Sequence, residues 1–314
     1  MRFIALTLVL GGAHVASCVA AQPADLVLTE AKLQQRVNGV LALMSYSVVP
    51  DLVSSSLSIS SPNTGNPTIA MSQLAGGFTV SQSFPLYLEG GLAASRYDPT
   101  FYASHGSQER AIPVKWNNGA LTGGIGWDFP LIAELKFRPI VNVALGRVAS
   151  DLAIARALLG PNGGPEFDFL DRGHLTAYGL GGSMMLDYER YRPEDEIDLE
   201  LRYTNIRLQS RSSSSLAVQG HADAITASLW SRYRAPTGFT AMERPLRYVL
   251  EYAYTRYLGD QAGVLGFSSL SSIGVGLELD SSARDLFITR TRLVLRHMFG
   301  HSVSGFSVGL AVSF

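Results

Sequence analysis

The carboxyl-terminal stretch GFSVGLAVSF (Gly305–Phe314) alternates strictly between apolar and small residues up to the final aromatic side chain. Its apolar members are Phe306, Val308, Leu310, Val312 and Phe314. Successive side chains of a β-strand point to opposite faces, so this rhythm predicts a strand with one apolar face and one face of small residues. Most chains end in a poorly ordered polar segment. We therefore expect this ending to close a structural element.

The same two-residue rhythm recurs through most of the chain. In Ser272–Asp280, isoleucine, valine and leucine alternate with glycine and acidic residues, and Glu196–Tyr203 alternates in the same way. Strands in soluble proteins usually run five or six residues, whereas several of these patterns run 10 to 15. We predict twelve strands, near residues 53–60, 68–80, 84–97, 119–129, 133–148, 174–189, 195–209, 220–234, 245–258, 271–280, 284–299 and 303–314.

Composition and loop lengths favour a membrane barrel over other classes. Charged residues make up 16% of the 314 residues and the net charge is −1, which gives no electrostatic case for nucleic-acid binding. No apolar run of 18 residues follows the first segment, which argues against membrane-spanning helices. Long alternating strands with aromatic ends are typical of transmembrane β-barrels. Short connections alternate largely with long ones, 98–118 and 149–173 among them, as an even-stranded barrel with periplasmic termini requires.

The chain divides into three predicted segments. Residues 1–21 have the pattern of a secretory signal peptide, ending in small residues with Gln22 as the new amino terminus. An alternative is a lipoprotein box at residues 15–18, in which Cys18 would be lipidated rather than removed. Residues 22–50 form a helical segment, because Asp25–Met44 carries an apolar stripe at helical spacing. Residues 51–314 form the barrel, with the helix in or near its lumen.

The ending of the chain also supports a family resemblance. GFSVGLAVSF resembles the carboxyl-terminal signal of bacterial outer-membrane β-barrels, which the barrel assembly machinery recognises. A helix followed by twelve strands and this ending, over roughly residues 25–314, is similar to the translocator domain of autotransporters. The length leaves no room for a passenger, so the chain looks most like solitary autotransporter-type barrels. The resemblance implies an all-β, up-and-down transmembrane barrel in the outer membrane, monomeric and without a cofactor.

Charged residues on the polar parity of the strands are predicted to line the lumen. The principal candidates are Asp198, Glu200, Arg202, Glu251, Glu278, Arg290, Arg292 and Arg296. One interpretation is a charged pore that selects solutes, with the three arginines of the eleventh predicted strand as a positive wall. The other is a set of ion pairs that fills the barrel and holds its strands in register.

Other residues suggest contacts outside the lumen. Arg147 and Arg256 fall on the apolar parity near predicted outer ends, where they would meet outer-membrane lipid and the phosphates of lipopolysaccharide. His297 lies on the same parity and is the residue on which a lipid-acting enzyme would depend, although no serine context accompanies it. The loops 98–118 and 149–173 are candidates for a surface binding module. Five histidines of the mature chain have no metal-site spacing, so we predict neither a metal nor catalytic activity.

Overall fold

The computed structural model describes residues 30–49, 56–60, 69–97, 100–105, 108–113, 116–150, 174–211, 220–281, 289–301 and 303–313. One helix, α1, spans Glu30–Val48. The strands are β1 Ser56–Ser60, β2 Ile69–Thr79, β3 Leu86–Tyr97, β4 Thr100–His105, β5 Gln108–Pro113, β6 Trp116–Trp127, β7 Phe129–Ile132, β8 Leu135–Ser150, β9 His174–Tyr191, β10 Glu196–Ser210, β11 His221–Ala241, β12 Arg244–Tyr257, β13 Ser269–Asp280, β14 Arg290–Gly300 and β15 Val303–Ser313.

Twelve of these strands close into a ring. Neighbouring strands pair antiparallel in chain order, apart from the two-stranded hairpin of β4 and β5 and the short β7, and β6 therefore pairs with β8. The ring closes where β15 meets β1, with Phe306 opposite Ser58. This arrangement confirms the predicted antiparallel up-and-down barrel, in which closure removes the unpaired edges of a flat sheet.

The side chains are distributed inside out relative to a soluble protein. Large apolar side chains point outward and are exposed, with Phe306 at 76% and Leu310 at 68%, whereas charged residues such as Asp198 and Glu278 are buried inside. Soluble monomers rarely expose apolar patches above a few hundred Å². An outward apolar belt around a polar interior is the pattern of a barrel whose solvent is the lipid bilayer.

Two ends of the barrel differ in their connections. At one end, called here the turn end, residues 80–85, 192–195 and 242–243 make short links. At the other, the loop end, residues 258–268 form a longer folded loop between β12 and β13. The predicted long loop 98–118 is corrected, because it contains the hairpin β4–β5, while 151–173 lies outside the described residues.

The hairpin of β11 and β12 corrects another predicted connection. Residues 235–244 looked like a loop of intermediate length, but β11 continues to Ala241 and pairs directly with Arg244. Met242 and Glu243 both adopt positive φ, 52° and 59°, as a two-residue turn between strands requires. An irregularity between Pro236 and Thr240 lets the strand continue where proline cannot donate a ladder hydrogen bond.

The helix ends at Val48, within the predicted helical segment 22–50 and beyond Met44, the last residue of the predicted apolar stripe. Its last turns lie inside the loop-end half of the barrel, where Leu41, Met44 and Val48 are fully buried. Their apolar surroundings explain the extension, since tertiary packing supplies most of the stability of a helix in a protein. Among the described residues, no helix is both long and apolar enough to span a membrane.

Candidate functional site in the barrel lumen

The turn-end half of the lumen is filled by ion pairs. At their centre, Arg234 on β11 reaches three carboxylates from two other strands, with its Nη2 atom 2.9 Å from both Glu196 and Asp198 and its Nη1 atom 3.4 Å from Glu278. Arg292 donates to Glu278 through Nε at 2.8 Å. These side chains are all buried, so each charge depends on the others for compensation.

Glu196 is a second junction of the same network. Its Oε1 atom accepts from Arg247 Nη1 at 2.6 Å, and its Oε2 atom accepts from Arg290 Nη1 at 2.6 Å. Arg290 and Glu196 are separated by 94 positions in the chain, and β10 and β14 are not neighbours in the sheet. The contacts therefore link parts of the wall that are not adjacent in the sheet.

Arg138 on β8 organises a second group beside the turns. Its guanidinium contacts Asp128 through Nε and lies 2.9 Å from Asp187. The guanidinium also sits 3.8 Å from the ring centre of Tyr87, within the range of a cation–π interaction. Thr79 donates to the other Asp128 oxygen at 2.7 Å. These contacts anchor the ends of β2, β3, β8 and β9 to one another.

Arg202 and Glu89 form a two-point ion pair across the middle of the lumen. Nη1 and Nη2 of Arg202 donate to the two Glu89 oxygens at 2.8 and 2.7 Å. Asn142 donates to the same carboxylate at 2.6 Å and accepts from Ser183. Bidentate pairs between guanidinium and carboxylate are strong and directional, so this pair fixes β3 relative to β10.

Glu200 differs from the other carboxylates of the lumen. It faces a cavity of about 300 Å³ that Arg202, Arg232 and Arg292 also line. It forms no ion pair with any described residue, whereas Arg232 pairs with Asp198 and Arg292 with Glu278. The turn-end half of the lumen thus combines a nearly complete set of ion pairs with a small polar cavity.

The loop-end half of the lumen is apolar and contains α1. Leu41, Met44 and Val48 pack against small and branched inward-facing residues of six strands. These are Ala93, Ala120, Ala144, Val148, Leu175, Ala177, Ile206, Leu208, Ala222 and Ala224. A Cβ atom at Gly146 would collide with the Met44 side chain, so the absence of a side chain there permits the close approach.

Polar contacts fix the position of α1 at both ends of its buried part. Ser47 Oγ accepts from Asn118 at 2.8 Å, and Gln73 donates to the carbonyl of Val49 at 3.2 Å. Nearer the start, Asn38 accepts from the His221 backbone N–H at 3.1 Å. The helix therefore contacts β2, β6 and β11, on separate parts of the wall.

The loop of residues 258–268 packs over the same helix. Tyr46 donates its hydroxyl hydrogen to the carbonyl of Gln261 at 2.6 Å. Its ring lies 4.8 Å from that of Tyr257 and 5.9 Å from that of Phe267. Helix and loop together form a second apolar cluster, with Leu265, Leu270 and Met298.

The structure places all eight principal lumen candidates on the inner wall. Arg290 and Arg292 pair with Glu196 and Glu278, and Arg296 pairs with Glu251 at 2.7 Å. These three arginines therefore contact carboxylates rather than forming a bare positive surface. Glu89, Lys136, Arg138 and Glu196 were not among the sequence candidates. The alternation of Leu86, Leu88 and Leu92 places Glu89 on the inner face and could have identified it.

The outward-facing candidates lie on the other surface. Arg147 and Arg256 are exposed, close to the loop end of β8 and β12. His297 lies between Phe299 and Phe306, with ring centres at 5.9 and 4.8 Å. Within the described part of the chain, its Nδ1 atom has no hydrogen-bond partner.

The final strand carries the predicted assembly residues on its lipid side. Phe306, Val308 and Leu310 all point outward and are exposed. Val312 lies opposite Thr291 in the β14–β15 ladder. Phe314 lies outside the described residues.

A closed up-and-down barrel with an apolar exterior, a charged interior and one internal helix defines an integral outer-membrane β-barrel protein. No family model and no curated protein sequence matches the chain. Among solved structures, it is similar to the β domain of the Bordetella autotransporter BrkA, with 14% identity and a TM-score of 0.46 over 82% of this chain and 96% of that one. It is also similar to the transport unit of the autotransporter AIDA-I from Escherichia coli, with 12% identity and a TM-score of 0.44 over 88% and 99%. A third is the translocator domain of the autotransporter NalP from Neisseria meningitidis, with 12% identity and a TM-score of 0.40 over 79% and 82%.

Proposed function

We propose that this protein is a closed barrel of the autotransporter-translocator type, with α1 as a plug and no continuous solute path in the resting state. The observation that carries the proposal is the complete burial of Leu41, Met44 and Val48 within the loop-end half of the lumen. The apolar side of the helix packed against an apolar wall leaves little polar surface along which hydrated solutes could pass. Its packing resembles that of a protein core.

The ion-pair network at the turn end supports a structural role in preference to solute selection. A selectivity filter needs charges that are free to exchange partners with a passing solute. Here Arg290, Arg292 and Arg296 are each engaged with a carboxylate at 2.6–2.8 Å. Glu200 is the member best placed to contact a solute in the cavity. We infer that the network holds the wall together and that any conduction requires it to rearrange.

The proposal includes a route to the membrane and an orientation in it. Residues 1–21 direct export and are removed, and the terminal strand is recognised by the barrel assembly machinery. Short turns of outer-membrane barrels lie on the periplasmic side, so the turn end faces the periplasm and the loop end faces outward. In this orientation, Arg147 and Arg256 lie at the outer rim, where lipopolysaccharide phosphates are available to pair with them.

Single-channel recording of the full-length refolded protein tests the plug. We expect the parent protein to be silent and the variant Leu41→Asp/Met44→Asp to show discrete openings. Two carboxylates in the apolar cluster would lose their hydration without gaining partners, and the helix would leave the lumen to avoid that cost. Heat-dependent mobility on gels establishes that the variant is folded.

The matched control is Gly39→Asp, which introduces the same carboxylate at an exposed position of α1 with no atoms within 4 Å of the new Cβ. This variant should be as silent as the parent. Steady conductance in the parent, or a folded and silent double variant, would contradict the plug.

A further inference from the structure

The outer wall of the barrel carries a groove that is separate from the lumen. It lies across β6, β8, β9 and β10 and has a volume of about 800 Å³. Ile125, Val141, Gly182 and Asn205 follow one another in register across these four strands. Gly182 contributes no side chain to this outward-facing row, so the surface is recessed there. A groove of this volume is of the size that holds a small ligand.

The lining of the groove is apolar on most sides. The side chains of Ile125, Val141, Leu180 and Met184 all project outward and are exposed. They belong to the apolar belt, so whatever occupies the groove in the membrane must be compatible with hydrocarbon. An acyl chain meets this requirement.

One edge of the groove is polar. On the outward face of β10, Leu199, Leu201 and Tyr203 are followed by Asn205 and Arg207. This change from apolar to polar occurs toward the loop end of β10. On the neighbouring strand β9, the residues opposite Asn205 and Arg207 are Gly182 and Leu180, which still belong to the apolar belt. The groove therefore runs from an apolar floor to a cationic edge.

Arg207 retains most of its capacity to bind an anion. Its side chain is 56% exposed. Its single ion pair with the described residues is to Asp223, whose Oδ1 atom lies 4.0 Å from the Arg207 Nε atom. A guanidinium has five N–H donors and matches the geometry of phosphate oxygens. The pair with Asp223 leaves the two Nη atoms available.

We propose that this groove binds lipopolysaccharide, with one acyl chain lying over Gly182 and a lipid A phosphate at Arg207. Three features of the groove select this occupant: an apolar floor, a cation at one edge, and an opening toward the bilayer. The choice of the outer leaflet rests on the orientation given under Proposed function. The site differs from the rim contacts at Arg147 and Arg256, because it has a volume that an acyl chain can fill.

Native mass spectrometry of the full-length protein, titrated in micelles with bisphosphorylated lipid A, tests the site. We expect one lipid A to bind more tightly than the rest. Arg207→Gln should weaken that binding about tenfold, because it removes a hydrogen-bonded charge. It should have little effect on lipid A whose phosphates have been removed. Val141→Phe, which fills the groove, should weaken the binding of both lipids.

Two controls apply the same changes elsewhere on the outer wall. Arg190→Gln alters a half-buried arginine at the turn end, which pairs with Asp195 at 2.6 Å. Val275→Phe alters an outward valine of β13, 61% exposed against 63% for Val141. Both controls should bind lipid A like the parent.

Equal lipid A binding by all variants would overturn the proposal. A protein dimer that Val141→Phe dissociates would also overturn it, because the groove would then hold a second copy of this chain. Tight binding by the glutamine variant at position 207 would also overturn the assigned phosphate contact. This result does not depend on the plug. The groove lies on the outer wall, so it would still bind lipid if the barrel proved to conduct. In the same way, a variant that loses the groove should not change the conductance of the lumen.

Discussion

At the scale of single residues, the lumen depends on charges that compensate one another. Glu278 is fully buried and accepts from Arg292 at 2.8 Å, with Arg234 at 3.4 Å and Arg290 at 3.8 Å. A buried ion pair adds little net stability over an apolar pair of similar shape, but loss of one partner is costly. Replacing one member of this network therefore affects the stability that the other members provide.

Glu278→Gln should lower the free energy of unfolding by about 3–5 kcal/mol, because Arg292 stays buried without the carboxylate that it contacts at 2.7 Å. Chemical denaturation in micelles, followed by loss of the barrel's β-sheet signal, measures this change. The same substitution at Glu194, which is exposed in the turn between β9 and β10, serves as the control.

Adding Arg292→Gln to the Glu278→Gln variant should restore part of the lost stability, since the surplus positive charge is then reduced. A single Glu278 variant as stable as the Glu194 control would show that Glu278 is not needed to neutralise the arginines.

At the scale of secondary-structure elements, the β11–β12 hairpin combines a tight turn with residues poorly suited to it. The two-residue turn places both Met242 and Glu243 at positive φ. Such turns usually contain asparagine, aspartate or glycine, because a side chain with a Cβ atom crowds the backbone there. The turn that follows Ala241 therefore carries backbone strain at Met242 and Glu243.

Met242→Asn should raise the free energy of unfolding by up to about 1 kcal/mol, because asparagine tolerates the left-handed region better than methionine. The shift in the denaturation midpoint at unchanged slope measures the gain. Met242→Leu is the control and should leave the midpoint where it is, since leucine has the same backbone restriction. A loss of stability in the asparagine variant would indicate that the exposed methionine makes a favourable contact with its surroundings.

At the scale of the whole molecule, ring closure depends on the last strand. β15 pairs with β14 along its length and with β1 near the loop end, where Phe306 lies opposite Ser58. Its outward residues Phe306, Val308 and Leu310 continue the apolar belt across the junction. The strand that completes the barrel is thus also the strand that carries the predicted assembly signal.

Deletion of Phe314 should reduce insertion into the outer membrane and leave synthesis and export unchanged. Cell fractionation followed by heat-dependent gel mobility measures the inserted fraction. Phe239→Ala, which removes an exposed phenylalanine on the turn-end extension of β11, is the control and should insert normally. Normal insertion of the shortened chain would remove Phe314 from the signal.

The twelve barrel strands and their faces could be predicted from the sequence, because alternation is a local property with a two-residue period. Boundaries were reliable where the apolar face was regular. They were wrong where an element was extended by further pairing, as at Ala241 in β11. Inward orientation of the principal charged candidates followed from the same parity.

What the sequence determined by itself was therefore the class of the protein, because long alternating strands with aromatic ends are typical of transmembrane β-barrels. Tertiary structure alone decided which charges pair, since Arg202 meets Glu89 across 113 positions through barrel curvature and register. It also decided that α1 occupies the loop-end lumen and that Gly182 and Arg207 share one groove. Those relations depend on distances between strands far apart in the chain, which a two-residue pattern does not encode.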